Sequence, residues 1–400
     1  MSECYQDRIT AIRCYLEGEA PIDIYTRLGY SSAWFFKWRL RYLLYGFDGL
    51  KDLPKAPKHQ AKQTSAALEQ AIVHIRQSRE KREREETKYA FIGADAIHKE
   101  LQEFGYVPPS VRTVHNILVR HGLVKPPPAP QSVKEVIDRH YPSLTITSPG
   151  QMQQLDLVGP RYLQGSSQRL YFYNLRDVCS RRVAVDVGKN HQANTIVQAL
   201  IRAWQRMGSP TILQHDNALE FRGSNQHPRS AGLLTKLCLT LGIESLFIPA
   251  REPYRNGCIE NFNGLFQQLV LATQRIKDFS HLQREIQLFE RVANLEHPHR
   301  PLAGKTSAEY EQSVQFQPRR FASTFTFGPT FRFSEPPEGK VSFICRIRPS
   351  GKITIATETF EIDDRLAWDY VYASIGVHEK TLRVYHKGEE ITTFPYELNI

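Results

Sequence analysis

Three carboxylates in this 400-residue chain are set among neighbours that give them chemical meaning. Asp156 lies inside the strand-like run Gln154-Leu155-Asp156-Leu157-Val158, where a charge among apolar residues needs a partner or a metal. Asp216 closes Leu213-Gln214-His215-Asp216-Asn217, at the carboxyl end of a strand-like run, the edge where open α/β sheets bind their ligands. Glu260 follows the polar turn Pro253-Tyr254-Arg255-Asn256-Gly257; with Asn263, Gly264 and Gln267 it falls off the apolar stripe of Ile259, Phe262, Phe266 and Leu269. Phosphodiester chemistry needs an activated attacking oxygen and a stabilised leaving oxygen, which two divalent ions about 4 Å apart can supply. Mg2+ prefers hard oxygen ligands, so carboxylates on rigid elements suit it. Plainer roles stay open for each: Asp156 in a salt bridge, Asp216 as a turn former, Glu260 as a helix-start residue favoured by the dipole.

The elements that position these groups are legible from periodicity. Residues 151–158, 170–178 and 181–187 read as strands and 193–207 as a helix; then come a strand at 211–215, a helix at 231–241, a strand at 243–248 and a helix at 257–273. The order β-β-β-α-β-α-β-α predicts a mixed five-stranded sheet with helices on its faces. Beyond it, 316–335 is a Phe- and Arg-rich linker, and 336–400 alternates strand-like runs with turns, as in a small antiparallel β-barrel.

Ahead of this core lie two all-α units. Residues 1–55 carry short helical patterns broken near Gly18 and Gly29, with Ser31 or Ser32 capping a helix whose Trp34, Phe35 and Trp38 turn inward and whose Ser32, Lys37, Arg39 and Arg41 stay polar. That spacing fits a helix-turn-helix with its last helix in a DNA major groove. Residues 64–125 repeat the theme after a Lys- and Pro-rich stretch. There Ser110 caps a helix with Val111, Val114, Ile117 and Leu118 as its stripe and Arg112, Thr113, Asn116 and Arg120 off it. A Pro-rich linker, 126–149, separates this arm from the core.

Composition agrees with a polyanion partner. The chain has 52 Lys and Arg against 42 Asp and Glu, a net charge of +10, and a pI near 9.2. Residues 1–149 and 150–315 each carry an excess of five positive charges, and 316–400 none. Six cysteines without a C-x-x-C pair argue against a disulfide framework or zinc knuckle. The absence of a long apolar run excludes a spanning helix and, with no signal-like stretch at the start, leads to the expectation of a cytoplasmic, nucleoid-associated protein with no membrane partner.

Leu155-Asp156-Leu157, His215-Asp216-Asn217 with Glu220 and Phe221, and the run from Pro253 to Asn263 resemble the three signatures of the integrase catalytic core. The likeness is to DDE transposases of bacterial insertion sequences and to retroviral integrases, over about residues 150–310, within a core domain placed at 150–315. It implies a ribonuclease H-like core in which Asp156, Asp216 and Glu260 are catalytic and bind two Mg2+ or Mn2+ ions. It also implies cleavage of element ends and joining of the exposed 3′-hydroxyls to target DNA. The partners would be double-stranded DNA, as terminal inverted repeats and target, and further copies of the chain assembled on it. Arg251, Arg255, Asn256 and Asn263 are the candidates for phosphate contacts at the core.

The chain departs from that pattern in places. The interval from Asp216 to Glu260 is lengthened by Arg222 to Ser230, Cys258-Ile259 stands where relatives more often have basic residues, and Ser307 where a proline is common. Two other functions share the same features. One is a sequence-specific DNA-binding regulator with a structural core; the other is a ribonuclease H-like nuclease that cuts without joining.

Overall fold

Glycine at Gly18 (φ 93°) and Gly29 (φ 73°) takes left-handed backbone that a Cβ would resist. These turns separate helices α1 (Glu3–Leu16), α2 (Pro21–Arg27) and α3 (Ser32–Tyr45). The computed structural model describes residues 3–53, 64–82, 88–125, 141–163, 165–223, 226–227, 229–249, 252–272 and 276–400. The chain divides into two units, Met1–Thr64 and Ser65–Ile400. In the first, the Ser31 hydroxyl accepts the Trp34 N–H at 3.2 Å and so caps α3, while Phe35 and Trp38 are buried with Ile12, Ile24 and Leu50.

The outward face of α3 differs from the polar one expected. Phe36, Leu40, Leu43 and Leu44 are exposed on it. The Arg39 guanidinium lies 4.7 Å over the Tyr15 ring, and that of Arg41 lies 4.7 Å over Trp38 and donates to the Lys51 carbonyl at 2.9 Å. Both arginines are engaged in packing their own unit, whereas Ser32 and Lys37 stay exposed.

The second unit opens with α4 (Ala66–Lys81), α5 (Ala94–Glu103) and α6 (Val111–Arg120), packed around Ile72, Ile97, Leu101, Val114 and Ile117. Ser110 caps α6 by accepting the Thr113 N–H at 3.2 Å. Residues 126–140 of the Pro-rich linker lie outside the described residues. More than a tether joins these helices to the core. Tyr89 and Phe91 belong to the same apolar cluster as Phe262 and Phe289. Glu285 accepts from Lys88 Nζ at 2.5 Å and from the Tyr89 hydroxyl, and lies 3.1 Å from His281 Nε2. Removing one member of so enclosed an ion pair leaves the others uncompensated. Glu285→Ala is therefore expected to destabilise this unit by about 2–4 kcal/mol, read as a lower urea midpoint at pH 7.

The sheet has nine strands where five were expected. Its first part is β1 (Met152–Arg161), β2 (Leu170–Asp177), β3 (Val183–Gly188), helix α7 (Ala193–Met207), β4 (Ile212–His215), the short helices α8 (Leu219–Arg222) and α9 (Leu233–Thr240), and β5 (Glu244–Phe247). Helices α10 (Gly257–Phe266), α11 (Phe279–Leu295) and α12 (Ser307–Ser313) come next. The tail supplies β6 (Lys340–Arg346), a hairpin of β7 (Lys352–Ile355) and β8 (Glu358–Glu361), and β9 (Tyr370–Gly376), β10 (Thr381–His386) and β11 (Glu389–Pro395).

The spatial order is β11-β10-β9-β6-β5-β4-β1-β2-β3. The separate β-barrel expected for 336–400 is thus corrected: β6 pairs in parallel with β5, and β9 to β11 continue the core's sheet. Strand pattern alone does not reveal which edge a strand joins, because such pairing is non-local. The 316–335 stretch is likewise more than a linker. Phe321, Phe325, Phe327, Phe331 and Phe333 form a chain of ring contacts 4.7–6.5 Å apart along the main core, which also holds Leu200, Trp204 and Leu237. At the far edge, side chains blunt β3: the Val183 N–H donates to Asn294 Oδ1 and the Val185 N–H to Glu290 Oε2, both at 2.9 Å.

Candidate active site

Residues 154 and 156 of β1 point to one face of the sheet, and the parallel register Gln154↔Gln214 brings Asp216, one residue past β4, alongside Asp156. Helix α10 lies over this face through Ile259, Phe262 and Phe266, which pack with Val158 and Phe172. Five amide side chains hold it there. Gln154 Oε1 accepts the Ile259 N–H at 2.9 Å, and Asn256 Nδ2 donates to the Leu155 carbonyl at 3.2 Å. Gln214 Nε2 donates to Asn256 Oδ1 and to the Arg255 carbonyl, each at 3.2 Å. Asn174 Nδ2 donates to Asn263 Oδ1 at 2.6 Å, and Asn263 Nδ2 donates to Asp156 Oδ2. Gln154, Asn174 and Gln214 went unrecognised in the sequence, although polar residues two apart in an apolar strand signal a shared polar face.

Burial first, then the negative charges of Asp216 and Glu260, push the Asp156 carboxyl up to about 6. The Asp216 carboxyl is also raised, by burial and by Glu220, against the opposing effect of the Ala218 N–H that it accepts at 3.0 Å. Next to it, buried His215 is pushed down to about 4 and is neutral at pH 7. Its Nδ1 donates to the Asp216 carbonyl at 2.9 Å, so its Nε2 accepts from the Ser245 hydroxyl at 2.8 Å, fixing the backbone that presents Asp216. Among the described residues no three His, Cys, Asp or Glu side chains converge tightly enough to hold an ion. Asp156 instead feels the charges of both Asp216 and Glu260 at electrostatic range. The donor type fits a divalent cation, since oxygen ligands that repel one another are what such an ion relieves.

The turn before α10 is tied to the tail. Glu252 accepts from the Tyr370 hydroxyl at 2.7 Å and the Tyr254 hydroxyl at 2.9 Å, and pairs with Arg255 Nε at 3.2 Å. The Arg255 guanidinium lies 3.7 Å over Tyr141 and 5.1 Å from the Tyr370 ring.

Residues 241–306, which span β5 to the start of α12 and include Glu260, match the Integrase core domain family. Residues 5–51 and 34–118 match Homeodomain-like domain families. The integrase-core match is thus to one stretch of the second unit, and the homeodomain-like matches are to the helices that precede it. Similar solved structures include the HTLV-2 integrase catalytic core domain in complex with magnesium (19% identity, 40% of this chain and 96% of that one, TM-score 0.32). Others are the simian T-cell lymphotropic virus intasome in complex with PP2A regulatory subunit B56 gamma (15%, 75% and 93%, TM-score 0.37) and the BIV integrase catalytic core domain (18%, 42% and 99%, TM-score 0.33).

The residues expected to touch DNA divide into two groups. Asn256 and Asn263 are only 3% and 5% exposed and use their amides to hold α10. These two are corrected from phosphate contacts to positioning groups, whereas Arg255 is half-buried against Tyr141 and Glu252. Arg251 lies outside the described residues. On α6, Arg112, Asn116 and Arg120 are exposed on one face, with Arg120 paired to Glu69 at 2.7 Å, while Thr113 is half-buried with its hydroxyl 3.0 Å from that of Ser110. No helix among the described residues is long and apolar enough to cross a membrane.

Proposed function

We propose that this chain is a DNA transposase that binds element ends, cuts to expose 3′-hydroxyls and joins them to target DNA. The observation that carries this is the register of the interior strands β1 and β4, which sets Asp216 beside Asp156 and within reach of the charge of Glu260, in a chain that also matches homeodomain-like domain families. Asp156, Asp216 and Glu260 would hold two Mg2+ or Mn2+ ions, which when bound lower the cost of deprotonating the attacking oxygen and stabilise the leaving one. The protein's own part is positioning. The amides of Gln154, Asn174, Gln214, Asn256 and Asn263 fix α10 against β1, so Glu260 is presented to the two aspartates. Exposed Lys37 and Ser32 on α3 and Arg112, Asn116 and Arg120 on α6 read the ends. Joining two ends to one target calls for several copies of the chain on DNA.

The test uses labelled DNA bearing the element's ends, a target plasmid and Mg2+, with wild type beside Asp216→Asn. Metal ligation is worth several kcal/mol, so joined products are expected to fall roughly a thousandfold in the variant. Cleavage without joining would instead favour a nuclease. Sequence-specific binding with no product at all would favour a regulator.

A further inference from the structure

The helix that carries Glu260 has a second face. Gly257, Cys258, Asn261 and one side of Phe262 line a cavity of about 570 Å³ between α10 and the residues that follow α4 and precede α5. Its wall holds three guanidiniums, Arg82, Arg176 and Arg181, and two imidazoles, His297 and His299. Among the described residues none of the three arginines forms an ion pair with a carboxylate. Arg176 Nη1 donates to the Cys258 carbonyl at 3.0 Å and Arg181 Nη1 to Cys258 Sγ at 2.7 Å. Arg176 Nε and His297 Nδ1 are buried without a partner among the described residues. Asp95 is the acid on the wall, and it pairs with none of them.

Such an arrangement is costly as it stands. Buried guanidiniums depend on paired charge, and a buried donor without an acceptor loses its hydration for nothing. Burial holds the Arg176 guanidinium below its usual pKa, and repulsion from Arg181 acts in the same direction. Elsewhere in this unit the chain places acids against its half-buried arginines, as in Arg79–Glu100 and Arg182–Glu311. Here the acid is left out.

We infer that this cavity is a seat for a phosphate group, held by Arg82, Arg176 and Arg181 with the imidazole N–H groups as additional donors. Planar guanidinium forks match phosphate oxygens two at a time, and both imidazoles are neutral and so donate without adding charge. The cavity has room for more than the bare anion. Two sources offer the same chemistry, a phosphodiester of bound DNA and a free phosphate or nucleotide. The DNA source rests on the function proposed above, but the seat itself does not. A phosphate there would bridge the second helical arm and α10, so engagement of DNA by that arm would firm the helix that presents Glu260.

The test uses the full chain without Mg2+, so it reads binding and leaves the strand-transfer reaction out. Thermal unfolding is followed with inorganic phosphate against NaCl of equal ionic strength, and duplex affinity by anisotropy over a salt series. Arg181→Gln and Arg82→Gln are compared with wild type; among the described residues Arg82 has no hydrogen-bond partner to lose, so its variant keeps the fold. A phosphate-dependent rise in Tm that both variants lose supports the seat. If duplex affinity also falls about tenfold and the salt slope by about 0.9, the phosphate belongs to DNA. If duplex binding is unchanged, the seat takes a free phosphate or nucleotide. The inference is overturned if phosphate raises Tm no more than NaCl and both variants bind duplex as wild type does.

Discussion

Asp156→Asn is expected to give a protein that is inactive and, without divalent ions, more stable than wild type. In the folded state the Asp156 carboxyl titrates near 6 rather than 3.8, because burial and its acidic neighbours oppose the charge. The folded protein therefore binds more protons than the unfolded chain between those values, and stability falls as pH rises through that window. A shift of this size corresponds to on the order of 3 kcal/mol. That stability is present below about pH 4 and gone by pH 7. The amide has no charge to bury and still accepts from Asn263, so the variant loses this slope and melts higher at pH 7.5 in EDTA. Mg2+ should raise the Tm of wild type and leave the variant unmoved, while strand transfer falls by roughly a thousandfold or more. Equal pH slopes for the two proteins would mean that Asp156 is not held against the other carboxylates.

Deletion of residues 336–400 is expected to abolish cooperative folding of the second unit instead of releasing a spare module. Val341, Phe343, Ile353, Ile355, Val371, Leu382 and Val384 share one core with Leu200, Trp204 and Leu237. At about 1.5–3 kcal/mol for each such side chain buried, their loss rivals the whole net stability of a domain, about 5–15 kcal/mol. Truncation also strips β5 of its neighbour and takes Tyr370 from Glu252. Circular dichroism of residues 1–335 should show no cooperative melt for the second unit, and dye binding should report exposed apolar surface. A truncated chain that melts like the parent would mean that the tail is independent after all.

Much of the candidate site was legible because its signals are local. A charge in an apolar strand marks Asp156, a strand end marks Asp216, and a position off an apolar helical stripe marks Glu260. The helices of both arms and the Ser110 cap arise from the same short-range rules. What stayed hidden was decided at long range. Asn256 and Asn263, beside a basic turn, read as DNA contacts, yet polar residues look alike in sequence whether they face solvent or a buried amide such as Asn174. The strands of the tail were recognised, but their junction with β5 depends on a pairing partner far away in the chain. The cationic cavity was likewise invisible, since Arg82, the β2–β3 hairpin with Arg176 and Arg181, and His297 are far apart in the chain.

The parallel seam between β5 and β6 also sets a timetable. β5 ends at Phe247 and the strand that completes it begins at Lys340. At roughly 5–20 residues per second, a ribosome needs about 5–20 s to make the intervening stretch. For that interval the nascent sheet exposes an apolar strand edge next to β4, whose end carries Asp216. The carboxylate site thus matures only as the last part of the chain emerges, and the unfinished edge is where a chaperone, or another nascent copy, would meet it first.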